Sequence, residues 1–242
     1  MSGGVHIASA ATRELVLGVG LARLEAFTGR FYAKAFADAR LDLFIREHND
    51  PHASRFAGWI FEKLGGGDVW SEERRARATC PFNAHGHEFT TPHDRSSAHY
   101  AAWHSPKRSP SDWGNHFNLV DCRTWMRLHF WAMREEGLLD ELPAFCDYYV
   151  RLIGHFVSVY EREAPPFARE SLRWSDPAAG VSGGGGAAYG VAAYVASGGA
   201  MADLDPPEGP PPTLAQQKAS LPDHERAYTG SKGVPRLWPY AL

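Results

Sequence analysis

Four stretches within the first 163 residues repeat apolar side chains at a helical period of 3.6, and the same residues show no period-two alternation and no Asn-Gly turns. That pattern permits helix packed on helix and little else. The first stretch runs from about 12 to 38 and puts Leu24, Phe27, Phe31 and Ala35 on one face. The second runs from about 51 to 64, with Asp50 placed to cap it, Pro51 suited to its first turn and Gly65-Gly66-Gly67 to end it. The third, about 117 to 136, aligns Cys122, Trp125, Met126, His129 and Met133 and stops at Gly137. The fourth, about 141 to 162, carries Leu142, Phe145, Cys146, Tyr149, Ile153, Phe156, Val157 and Tyr160. Glycine and proline divide the chain. Residues 164–242 hold 11 Gly and 11 Pro and no sustained apolar period. They read as a disordered C-terminal extension, with a short helix near 213–220.

Composition removes several function classes. Net charge is −3, so nothing pulls the whole chain towards nucleic acid or an anionic membrane. No apolar run reaches membrane-spanning length. Three widely spaced cysteines (Cys80, Cys122, Cys146) argue against a disulfide framework and for a reducing compartment. The expected location is cytoplasmic, with Arg13 and the Ser/Ala-rich start leaving an organellar address open.

Between the second and third helices lies a long irregular stretch, 68–116, which inside a compact domain points to function. It holds His85, His87, His93, His99, His104 and His116. These histidines can bind a metal directly, sense pH, or simply be solvated; His85 and His87 are a plausible ligand pair without recognisably spaced partners. Alternatively, one of them is the axial ligand of a haem iron. His104 is the best placed, following Tyr100 and Trp103 and preceding Ser105-Pro106, where a helix must end. Tyr32, His52 and Trp125 offer three hydrogen-bond donors on three different helices.

These residues resemble the truncated haemoglobins, most of all their second group. Arg30-Phe31-Tyr32-Ala33-Lys34-Ala35-Phe36-Ala37-Asp38 resembles the family's helix whose tyrosine faces the ligand. Lys63-Leu64-Gly65-Gly66-Gly67-Asp68-Val69-Trp70 resembles the Gly-Gly motif after its distal helix. Trp103-His104-Ser105-Pro106-Lys107-Arg108 resembles its proximal stretch, and Arg123-Thr124-Trp125-Met126 its tryptophan-bearing helix. The resemblance covers about 12–163, with an insertion at about 74–97, and leaves 1–11 and 164–242 outside it. It implies an all-α, two-over-two helical sandwich around haem b. His104 would ligate the iron, with His99 as a rival. Tyr32, His52, Phe56 and Trp125 would form the distal pocket, and Phe44, Phe56, Trp70, Trp103 and Met126 would contact the haem.

The implied function is reversible binding of O2, and also of NO or CO. An NO dioxygenase or peroxidase-like haem enzyme is the alternative. It would need an external reductase, because no G-x-G-x-x-G nucleotide fingerprint follows a strand. A haem-free helical protein with a histidine-cluster metal site is the third reading.

Overall fold

The computed structural model describes residues 7–77, 95–157 and 160–161, with short pieces between 168 and 204 and at 237–238. These residues are overwhelmingly helical. The helices are α1 (Ala10–Val19), α2 (Leu21–Ala37), α3 (His52–Lys63), α4 (Val69–Ala76), α5 (Arg95–Trp103), α6 (Leu119–Glu135), α7 (Leu138–Glu141) and α8 (Pro143–Val157). Extended pairing among the described residues is confined to two-residue segments: Ile7–Ala8 with Leu237–Trp238, and Val181–Ser182 with Ala188–Tyr189. No helix among the described residues is long and apolar enough to cross a membrane.

The expected first helix is two. Gly20, at φ 77° and ψ 153°, breaks it between α1 and α2, a conformation open to glycine and strained for other residues. Beyond the break the apolar face holds as read, with Leu24, Phe27, Phe31 and Ala35 all buried. The second helix begins one residue later than expected. Pro51 takes the cap position without a side-chain bond, and Asp50 faces Arg55 at 3.8 Å.

Helix α3 ends in a Schellman motif. The Gly66 N–H donates to the Phe61 carbonyl at 2.8 Å and the Gly65 N–H to that of Glu62 at 3.0 Å. Gly65 has φ 90°. At Gly66 a Cβ would stand 2.5 Å from the Phe61 ring, so only glycine lets the ring lie there. The Glu62 carboxylate then accepts from the Ser71 N–H at 2.7 Å and from its hydroxyl, capping α4 from outside.

The stretch 68–116 is less irregular than its composition suggests, because α4 and α5 lie within it. His85, His87 and His93 lie outside the described residues.

Helices α2 and α6 run antiparallel, held by ion pairs along their length. Arg23 and Arg30 reach Glu136, Lys34 reaches Glu135, and at the other end Arg40 reaches Asp121. Asp121 also closes a capping box with Asn118, and Asn118 accepts from Arg40 as well. Helix α3 crosses α2 where the Thr28 hydroxyl donates to the Ala53 carbonyl at 2.8 Å.

The tail expected to be disordered contributes to the core where it is described. Trp174, Ala168, Met201 and Leu204 are buried. Arg127, itself 1% exposed on α6, lies 3.9 Å from the Trp174 ring and donates to the Met201 carbonyl at 2.8 Å. Arg134 donates to the Ser175 hydroxyl at 3.0 Å. The expected helix at 213–220 lies outside the described residues.

If these contacts hold the tail, Trp174→Ala costs about 3–5 kcal/mol of stability in urea unfolding, as for a large aromatic removed from a core. An unchanged urea midpoint would show that the tail does not carry the core.

Candidate functional site

One aromatic cluster gathers most of the residues singled out in the sequence. Phe31, on the inner face of α2, touches Tyr32 at 5.0 Å, Trp125 at 5.5 Å and Phe56 at 6.4 Å between ring centres. Phe56 and Trp125 lie 6.0 Å apart. Tyr32 stacks on His52 at 5.3 Å. Three helices thus bring Tyr32, His52, Phe56 and Trp125 into one aromatic cluster.

Tyr32 and His52 also line an open groove between α2 and α3 of about 510 Å³, with Phe36 and His48 beside them. Burial pushes the Tyr32 phenol well above its ordinary value, so it remains an O–H donor throughout the physiological range. His52 differs from its expected role. Its Nε2 lies 2.7 Å from the Glu47 carbonyl, and a carbonyl only accepts, so Nε2 carries the proton and Nδ1 is left as an acceptor. Desolvation lowers its basicity further. In this arrangement His52 cannot be the third donor to a ligand.

His104 follows the end of α5. Its Nδ1 lies 2.9 Å from the Tyr100 carbonyl, so Nδ1–H donates there and Nε2 keeps a free lone pair. Nε2 faces the turn at Gly114, where an added Cβ would stand 3.5 Å from it. Arg46 donates to the His104 carbonyl at 3.1 Å and steadies the corner. Among the described residues no hydrogen bond or ring contact joins His104 to the Tyr32–Trp125 cluster.

A second aromatic group gathers beside Trp103, the chain neighbour of His104, while the His104 ring itself meets Tyr100 at 4.1 Å. Phe117 meets Phe44 at 5.0 Å, Trp103 at 5.8 Å and His99 at 5.4 Å. Trp103 stacks on His116 at 3.9 Å, and its indole N–H is buried without a partner. His99 Nδ1 is hydrogen-bonded to the Tyr160 hydroxyl at 2.5 Å, which ties the rival ligand into the packing. Trp70 is removed from both groups, under the Arg74 guanidinium at 4.7 Å. Met126, expected against a cofactor, is fully enclosed in the core.

Sequence reasoning passed over His129 and Tyr149 as site residues. His129 is fully buried. Its ring lies nearly parallel to Trp125 at 4.4 Å and to Tyr149 at 5.4 Å, and its Nε2 lies 3.0 Å from the Tyr149 hydroxyl. The four-residue step from Trp125 to His129 was the available signal, since that step returns to the same helix face.

The donor set can be tested against chemistry. Among the described residues no group of three or more His, Cys, Asp or Glu side chains is placed to hold a metal ion. One imidazole with its second nitrogen committed suits the axial bond to an iron whose other ligands come from a porphyrin. The half-buried Phe44, Phe56, Trp103, Phe117 and Trp125 present aromatic surface that a flat apolar group would cover, and the unpartnered Trp103 N–H awaits an acceptor. An imidazole donor and aromatic surface of these kinds are what a haem would use.

Comparisons of the chain with protein-family models, with curated proteins and with solved structures give no match.

Buried and neutral, His129 makes the fold sensitive to acid. Desolvation holds its folded basicity well below the ordinary 6.5, while the unfolded chain takes up a proton at that pH. The unfolded state then binds more protons, so stability is complete above about pH 6.5 and falls as pH drops, by about 1.4 kcal/mol per unit. His129→Phe should remove about one proton from the slope of stability against pH between 6.5 and 5. An unchanged slope would place the acid sensitivity elsewhere, with His52 the next group to examine.

Proposed function

We propose that this chain is a haem-binding globin of the truncated, two-over-two type that binds O2 reversibly. The observation that carries this reading is the committed tautomer of His104, whose Nδ1–H is held by the Tyr100 carbonyl and whose Nε2 is free. Support comes from the pairing of α2 with α3, and from Tyr32 and Trp125 gathered on one aromatic cluster away from His104. If His104 held a haem, Tyr32 and Trp125 would have to stand apart from it to meet a ligand, and no contact among the described residues joins them to His104.

Haem, when bound, supplies a ferrous iron open to a diatomic gas on one face. The chain's residues do the rest. His104 would present its Nε2, and the Tyr100 carbonyl fixes the orientation of its ring. Phe44, Trp103 and Phe117 would supply one apolar wall and Phe31 and Phe56 another, excluding water. Tyr32 keeps its proton and Trp125 has an indole N–H, so both can donate to a polarised ligand. Such donors slow the release of O2 and suit sensing, scavenging or NO chemistry better than bulk transport.

Absorption spectra of the protein with added haem, in ferric, ferrous and CO-bound forms, test the reading. Wild type should show a Soret band that shifts with CO, and His104→Ala should lose or rearrange it. No haem uptake would overturn the proposal. Haem uptake unchanged in His104→Ala would move the axial role to another histidine. In the haem-bound protein, Tyr32→Phe should speed O2 release about two- to tenfold, the worth of one hydrogen bond. An unchanged release rate in stopped flow would remove Tyr32 from the pocket.

A further inference from the structure

His129 and Tyr149 form a polar pair enclosed by apolar rings, and the globin reading makes no use of it. Phe27 and Phe31 meet the imidazole edge-on at 4.6 and 5.1 Å, and Phe130 does so at 5.8 Å. Both side chains are fully buried. The direction of their hydrogen bond follows from counting what each choice leaves unmet. If Nε2–H donated to the phenol oxygen, the Tyr149 O–H would lack an acceptor and Nδ1 would lack a donor. If the phenol O–H donates to Nε2, only the Nδ1–H is unmet, and Nδ1 is indeed the buried ring nitrogen without a partner. Tyr149 is therefore the donor and His129 the acceptor.

The imidazole face also bridges two oxidisable rings. Trp125 stacks on it with 17° between planes, and Tyr149 lies nearly parallel to it, at 20°, while hydrogen-bonded to its Nε2. Trp125 is half-buried and so within reach of a reactant that Tyr149 cannot meet. We infer that Trp125, His129 and Tyr149 form a one-electron relay that carries oxidising equivalents from the edge of the aromatic cluster to a buried tyrosine.

The step balances as follows. An outer-sphere oxidant of the high-potential metal-complex class, such as a trivalent metal polypyridyl, takes one electron from Trp125 and is itself reduced by one unit. Tyr149 gives one electron to refill Trp125. The oxidised phenol is a strong acid, and its proton passes along the 3.0 Å hydrogen bond to Nε2 of His129. The net products are the reduced oxidant, a neutral tyrosyl radical at residue 149 and a protonated His129. A one-electron reductant from solution, a thiol or an ascorbate-like enediol, restores the phenol as the proton returns. The apolar cage keeps the radical from other reactants meanwhile. The relay needs no haem, so its fate and that of the globin reading are separate.

Flash-quench oxidation of the haem-free full chain with photogenerated ruthenium(III) trisbipyridine tests it, read by transient absorption and by electron paramagnetic resonance of frozen samples. A long-lived tyrosyl signal is expected, forming more slowly in D2O and lost in Tyr149→Phe that retains the wild-type circular dichroism. A long-lived signal that survives Tyr149→Phe, or that forms equally fast in D2O, overturns the proposal. Should Tyr149→Phe fail to fold, the half-buried Trp125→Phe decides. A drop in the yield of the tyrosyl signal supports the relay, and an unchanged yield overturns it.

Discussion

Helix α6 has almost no side that can face water. Ten of its seventeen residues are buried, among them the polar Asp121, Thr124, Arg127 and His129. An ordinary surface helix buries one stripe and exposes the rest. A helix enclosed this way has to be walled from several directions, and each buried polar group on it has to be met. Helix α2 supplies one wall, Tyr149 of α8 meets His129 on another, and the tail covers Arg127 on a third. The architecture is in that sense a set of coverings for one segment.

The same helix sets the register of the aromatic cluster. Its capping box fixes where it begins, and the ladder of ion pairs from Arg23 to Arg40 fixes how α2 lies along it. The solvent-reached pairs among them contribute little individually. Their spacing along both helices still favours one alignment over a shift by a turn. With that alignment set, Phe31 falls against Trp125, and Tyr32 lies one position further round, over His52. The His104 corner is built separately, from α5, the turn at Gly114 and Arg46.

Much of this was legible in the periodicity. The buried face of α2, the Gly-ended α3 and the apolar α6 all follow from helical spacing. The boundaries missed have identifiable reasons. Gly20 sits inside an unbroken apolar pattern, and only its positive φ reveals the break. Helix α4 is mostly charged, and α5 is rich in small and polar residues, so neither has an apolar stripe to show. In the tail, composition weighs glycine and proline together and cannot show that Trp174 and Met201 meet a buried arginine. Side-chain commitments were invisible as well. Nothing in the spacing says that Nε2 of His52 is held by the Glu47 carbonyl or that Nδ1 of His104 is held by that of Tyr100.

The contact between Arg127 and the Met201 carbonyl spans 74 positions. A ribosome adds about 5–20 residues per second, so roughly 4–15 seconds pass between the synthesis of the two. During that interval the emerging chain holds a guanidinium meant for the interior with its cover not yet made. Helix α6 can form early, but its last wall arrives late, and the order of synthesis leaves one flank of the nascent core for chaperones to guard.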